Sequence, residues 1–259
     1  MLRFLTALCL LLTLSGCAGV FRDRIYQPVP IADTPVEFAG QPPQTVVART
    51  ADGLPLQGHY WPPAQPGGDV IVYFHGNGYN QLVGAARAEP LRAGERGVLV
   101  ASYRGYGGNP GAPSEAGLFA DGDAWMRRAA ELTPTSRRFV FGHSLGGAVA
   151  LEMAARHRVE GVVTLGTFTR MSDMAPAVVR GLMPDRFDNL AAIRRLPPQV
   201  PVFLLHGDAD EVVPFSSAAA LEEAGGGERV TVVRLRGVGH NPPLEGIAEQ
   251  IWTLVLGAS

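Results

Sequence analysis

Phe139-Val-Phe-Gly-His-Ser-Leu-Gly-Gly-Ala-Val-Ala150 is the stretch that decides how this chain is read. An apolar run ends at Phe141, Gly142-His143-Ser144-Leu145-Gly146 follows, and small helix-compatible residues continue to about His157. The pattern predicts a strand, a sharp turn and a helix, with Ser144 on the turn. A serine there has a strained backbone and crowded neighbours, so Gly142 and Gly146 supply the room. Ser144 then projects from the carboxyl end of a strand. The amide of Leu145 opens the helix and is aimed at the same space. Gly-x-Ser-x-Gly alone is a weak signal, and the flanking strand and helix patterns give it weight.

Outward from that turn, continuous apolar runs alternate with helical segments. The runs are Asp69 to Phe74, Val98 to Ser102, Arg138 to Phe141, Gly161 to Leu165, Val202 to Leu205 and Val230 to Leu235. Runs of this kind suit strands buried on both faces. Helices are predicted over Leu82–Gly94, Ser114–Leu132, Leu145–His157, Phe215–Ala224 and Leu244–Leu256. Thr45–Thr50 and Leu54–Tyr60 flank Ala51-Asp52-Gly53, a hairpin signal. The expected fold class is α/β, a mostly parallel twisted sheet with helices on both faces and an antiparallel hairpin at one edge. The chain's 259 residues suit a single sizeable core.

Composition excludes several functions. The net charge of −2 argues against a nucleic-acid partner. All 22 basic residues are arginine, which removes a Walker-type phosphate loop and a lysine Schiff base. The two cysteines, Cys9 and Cys17, lie near the amino terminus, so the body has no disulfide framework and no cysteine zinc site. No metal or organic cofactor is implied.

Arg3 precedes an apolar stretch from Phe4 to Leu14, shorter than the ~20 residues that span a bilayer. Residues 1–16 are read as a signal peptide. Leu14-Ser15-Gly16-Cys17 resembles the lipobox of bacterial lipoproteins. That resemblance implies cleavage before Cys17, lipidation of Cys17, and anchoring in the bacterial envelope. Ala18 after the cysteine implies the outer membrane, with the body facing the periplasm. Residues 17–43, rich in proline from Pro28 onward, are read as a lipidated tether with little regular structure, and residues 44–259 as the folded domain.

In an open α/β sheet, chemistry gathers at the carboxyl ends of the strands. One strand leads into His75-Gly76-Asn77-Gly78, where the amide of Asn77 can join that of Leu145 as an oxyanion donor. His75 is read as a support for this loop. A later strand leads into His206-Gly207-Asp208-Ala209-Asp210-Glu211-Val212-Val213-Pro214, and spacing does not choose between Asp208 and Asp210 as the acid that orients a histidine. After the last strand, Gly237-Val238-Gly239-His240-Asn241 presents His240.

Together with Tyr103-Arg104-Gly105-Tyr106-Gly107, these pieces resemble an α/β-hydrolase of serine-hydrolase type, in the Bem46-like branch, over residues 45–256. The resemblance implies a Ser144–Asp210–His240 triad, since the family pattern His-Gly-x-x-Asp-x-x-Val-Pro falls on Asp210. It also implies acyl transfer to water from an ester or thioester of a small-molecule or lipid acyl substrate. Tyr79 departs from the family, which often has a smaller residue there, and is expected to narrow the pocket mouth. Met171, Met174, Val178, Val179, Leu182 and Met183, with a helix around Ser172–Leu182, are candidates to roof an apolar pocket. A peptidase of the same fold and a lipid-anchored, non-catalytic scaffold are the other readings.

Overall fold

The computed structural model describes residues 22–31 and 35–257. The residues read as a signal peptide, and Cys17, lie outside the described residues.

Eight strands form one sheet in the order β1-β2-β4-β3-β5-β6-β7-β8. They are β1 (Gln44–Arg49), β2 (Pro55–Trp61), β3 (Val70–Phe74), β4 (Gly97–Ala101), β5 (Arg138–His143), β6 (Gly161–Leu165), β7 (Val202–Gly207) and β8 (Val230–Leu235). β1 and β2 form the antiparallel hairpin, β2 runs antiparallel to β4, and every pairing from β4 to β8 is parallel. Every residue of β3, β4, β6 and β7 is buried, which is why these strands read as unbroken apolar runs.

Among the described residues, six α-helices flank the sheet: α1 (Gln81–Ala88), α2 (Glu115–Leu132), α3 (Leu145–Arg156), α4 (Asn189–Arg195), α5 (Ser216–Gly225) and α6 (Ala248–Gly257). One face of the sheet packs on α1 and α6 through Ala85, Ala88, Ile251 and Trp252. The other packs on α2 to α5 through Trp125, Val149, Ile193 and Leu221. Three of these helices start where a side chain satisfies free amides. Asn80 accepts from Leu82 and Val83, Ser114 from Gly117, and Asp188 from Ala191.

Three local expectations are corrected. The predicted first helix ends at Ala88 and tightens into a 3₁₀ turn over Glu89–Arg92, because Pro90 has no amide to continue the ladder. The last helix begins at Ala248, four residues late, after an irregular turn at Leu244–Ile247. The helix expected around Ser172–Leu182 is two 3₁₀ turns, Met171–Met174 and Ala177–Leu182, separated by Pro176.

The stretch expected to be a tether has little regular structure, with one helical turn over residues 22–25, yet it lies against the body. Ile25 and Tyr26 are buried. Tyr26 packs edge-on against Phe187, and Arg22 pairs with the buried Asp185 at 2.8 Å. Further along, the Ala39 and Gly40 amides each donate to Glu89 at 2.8 Å, and Trp61 donates to the Gln41 carbonyl.

Candidate active site

β5 delivers Ser144 through a turn in which its backbone sits at φ 52° and ψ −116°. Three neighbours hold it there: the Ser144 amide donates to the Leu165 carbonyl at 2.8 Å, and its carbonyl accepts from Gly147 and Thr167. A Cβ on Gly142 would collide with the Gly146 carbonyl, and one on Gly146 with the Phe74 carbonyl. The serine hydroxyl makes no capping bond to its own helix and is left free for another partner.

That partner is His240. Its Nε2 lies 3.0 Å from Ser144 Oγ, and its Nδ1 lies 2.8 Å from Asp210 Oδ2. Because a carboxylate only accepts, Nδ1 carries the proton and Nε2 is the acceptor for the serine hydroxyl. Asp210 is fixed through its other oxygen by the amides of Val212 and Val213, at 2.9 and 2.8 Å. Asp208 faces elsewhere and accepts from the Gly237 amide at 2.7 Å. The geometry therefore brings Asp210, and not Asp208, to the histidine. Gly166, at φ 59°, lets the pair lie against its backbone: a Cβ there would sit 3.1 Å from both Asp210 Oδ2 and His240 Nδ1.

Two histidines support the site from beneath. His143 donates from Nε2 to the His240 carbonyl at 3.0 Å, and burial holds its pKa down to about 3. His75 donates from Nδ1 to the Gly76 carbonyl at 2.9 Å, and burial holds it down to about 4. Neither lies on the Ser144–His240–Asp210 line. Glu211, the third carboxylate of its loop, accepts from the His240 amide at 3.3 Å.

Asn77 and Leu145 line the same cavity as Ser144, and neither amide has a backbone acceptor among the described residues. The cavity encloses about 790 Å³. Phe168, Met171, Val179, Met183 and Val213 give it an apolar wall, while Arg24, Gln27, Tyr79 and Asn241 give it a polar one. Of the six candidate roof residues, Met171, Met174, Val179 and Met183 line the cavity, whereas Val178 and Leu182 face outward.

The sequence family described as serine aminopeptidase, S33, matches residues 65–191. An uncharacterized protein of Mycobacterium tuberculosis is 34% identical over 83% of this chain and 77% of its own length. The chain belongs to the α/β-hydrolase superfamily. The chain is also similar to protein bem46 of Schizosaccharomyces pombe, 31% identical over 70% of this chain and 64% of that protein. The fold matches the structure of the Pyrococcus furiosus esterase PF2001 with a TM-score of 0.73 at 15% identity, covering 90% of this chain and 96% of the other.

Two features of this α/β-hydrolase were not legible beforehand. One is the role of the Asn77 side chain, which ties the loop to the amino-terminal strap. Its Oδ1 accepts from the Gln27 amide and the Tyr106 hydroxyl, each at 2.8 Å, and its Nδ2 donates to the Ile25 carbonyl at 2.6 Å. The adjacent apolar pair Ile25-Tyr26, set in a proline-rich stretch, was the available signal. The other is a bridge across the mouth, where the Tyr79 hydroxyl donates to Asn241 Oδ1 at 3.0 Å. The Tyr103–Gly107 loop of this hydrolase is a rigid support. Tyr103 and Tyr106 are fully buried, Tyr103 donates to the His75 carbonyl, and Arg104 pairs with buried Asp121.

Proposed function

We propose that this α/β-hydrolase is a serine hydrolase of carboxylic esters or thioesters with an apolar acyl group, working through an acyl-enzyme and anchored to the bacterial envelope at Cys17. The observation that carries the reading is the unbroken hydrogen-bonded line Ser144–His240–Asp210 opening into a cavity with an apolar wall. His240 takes the Ser144 proton as Oγ attacks the acyl carbon. The carbonyl electrons move to an oxyanion that the Asn77 and Leu145 amides receive. The oxyanion then collapses, and the leaving alcohol or thiol takes the proton from His240. Water, deprotonated by His240, attacks the acyl-enzyme and frees the acid and Ser144. Asp210 holds the imidazole tautomer and stabilises the imidazolium.

The ester reading is favoured over an aminopeptidase by charge. A free α-amine is well held by a carboxylate near Ser144, and no Asp or Glu is among the described residues lining the cavity. Labelling with a fluorophosphonate probe tests the nucleophile, with Ser144→Ala as control. Parallel assays of acyl esters, acyl thioesters and amino-terminal peptide amides test the substrate class. Labelling that persists in Ser144→Ala, or turnover of peptide amides alone, contradicts the proposal. For the anchor, Cys17→Ala should move the protein from the membrane to the soluble fraction.

A further inference from the structure

The exposed large apolar side chains of this protein are not scattered. Of the six among the described residues, four flank the cavity mouth: Met174 at 40% exposure, Val178 at 88%, Leu182 at 67% and Val212 at 49%. Met174 and Val212 also line the cavity, so the apolar surface runs from its wall onto the outer lip. Contiguous exposed apolar surface of this kind marks a site of contact. A side chain as exposed as Val178 protrudes, which suits insertion into a soft apolar phase better than fitting a shaped groove.

The charges around the lip have a sign. Arg180, between Val178 and Leu182, donates only to the carbonyls of Ala175 and Asp173, at 2.9 and 3.2 Å. The guanidinium groups of Arg24, on the cavity wall, and of exposed Arg186 likewise have no carboxylate partner among the described residues, although the Arg186 amide donates to Glu115 at 2.7 Å. The acidic groups nearby are Asp23, Asp173, Asp185, Glu115 and Glu211; Asp185 pairs with Arg22, and Glu115 accepts from the Arg186 and Phe187 amides. Asp173 accepts from Thr169 and lies 3.9 Å from Arg170, and Glu211 accepts from the His240 amide. That leaves arginines able to meet anionic headgroups.

The chain path agrees. Arg22 and the strap lead directly into the cavity wall at Arg24 and Ile25. Cys17 stands five residues before Arg22, a separation of at most about 17 Å when extended.

We propose that the lip formed by Met174, Val178, Leu182 and Val212, with Arg24, Arg180 and Arg186, docks on a bilayer containing anionic lipid, so that the cavity receives its acyl chain directly from the membrane. The contact is separate from the lipid anchor, while the route of the acyl chain rests on the hydrolase reading. The test uses the full lipidated chain in phosphatidylcholine/phosphatidylglycerol vesicles with brominated phosphatidylcholine as quencher. The native Trp61, Trp125 and Trp252 are buried, so a tryptophan introduced on the surface reports its own depth. Val178→Trp should be quenched. Glu223→Trp should not, because it lies at the end of α5 that leads into the start of β8, the sheet edge opposite Ser144. Equal quenching of the two, or none, overturns the docking.

In a second arm, Val178→Ser/Leu182→Ser should lower kcat/KM on a vesicle-embedded long-chain ester roughly tenfold. Its kcat/KM on a soluble short-chain ester should stay near wild type, because neither side chain lines the cavity. Parallel losses on both substrates overturn the proposal. So does a lip that light scattering finds covered by a second copy of the chain. If neither ester is turned over, the hydrolase reading fails, and the quenching arm still decides the docking.

Discussion

The strain at Ser144 can be measured by comparing two inactive variants. At φ 52° and ψ −116° the residue occupies a region that side chains with a Cβ disfavour, at about 1–3 kcal/mol. Ser144→Ala removes the hydroxyl and its 3.0 Å bond to His240 but keeps the Cβ and the strain. Ser144→Gly removes both. The glycine gives back about 0.4–1 kcal/mol through the greater freedom of the unfolded chain. The difference between the variants cancels the lost hydrogen bond, so Ser144→Gly should be the more stable by about 0.5–2 kcal/mol. For a domain of this size that is a melting point higher by about 1–8 °C, or a matching shift of the urea midpoint at unchanged slope. Both variants should lack Ser144-dependent labelling. If Ser144→Ala melts at or above Ser144→Gly, the turn stores no strain and that account of the glycine flanks is wrong.

Asp210→Asn should lower kcat by about 10⁴ by disturbing the tautomer of His240. Asp208→Asn should leave kcat close to wild type, because Asp208 bonds only the Gly237 amide; ester turnover by the two variants separates them. Asn77→Ala keeps the backbone amide but removes three anchors of its loop, and should lower kcat about tenfold with little change in KM. The pH dependence of stability follows from His75 and His143, held by burial at about 4 and about 3. Both remain neutral in the folded protein while the unfolded chain takes up protons below about 6.5, so their contribution is complete above that pH and is lost as pH falls toward those values. Each removes about 1.4 kcal/mol per pH unit over the roughly 1.5 units from 6.5 to 5, so unfolding free energy from urea titrations should be about 4 kcal/mol lower at pH 5 than at pH 7. His143→Gln should remove about half of that dependence.

What could be read from the sequence depended on how local its cause was. β3, β4, β6 and β7 were legible because strands buried on both faces must be apolar throughout. The turn at Ser144 was legible because its crowding admits only glycine at 142 and 146. α4 went unseen, since its seven residues make barely two turns, too short a run for a periodic pattern to stand out. The choice between Asp208 and Asp210 is set by which oxygen meets an imidazole 30 positions away, and residue spacing does not encode that. The strap was hidden for a similar reason. Its composition reads as a tether, and what holds it is the side chain of Asn77, 50 positions away from Gln27.

The bond between Tyr79 and Asn241 joins two loops that are 162 positions apart, one following β3 and the other β8. Because the rim is closed by one hydroxyl and one amide, the two residues form an epistatic pair. Losing either should make the other nearly dispensable, so a double-mutant cycle at 79 and 241 should be non-additive. Among Bem46-like relatives, the two positions are expected to change together.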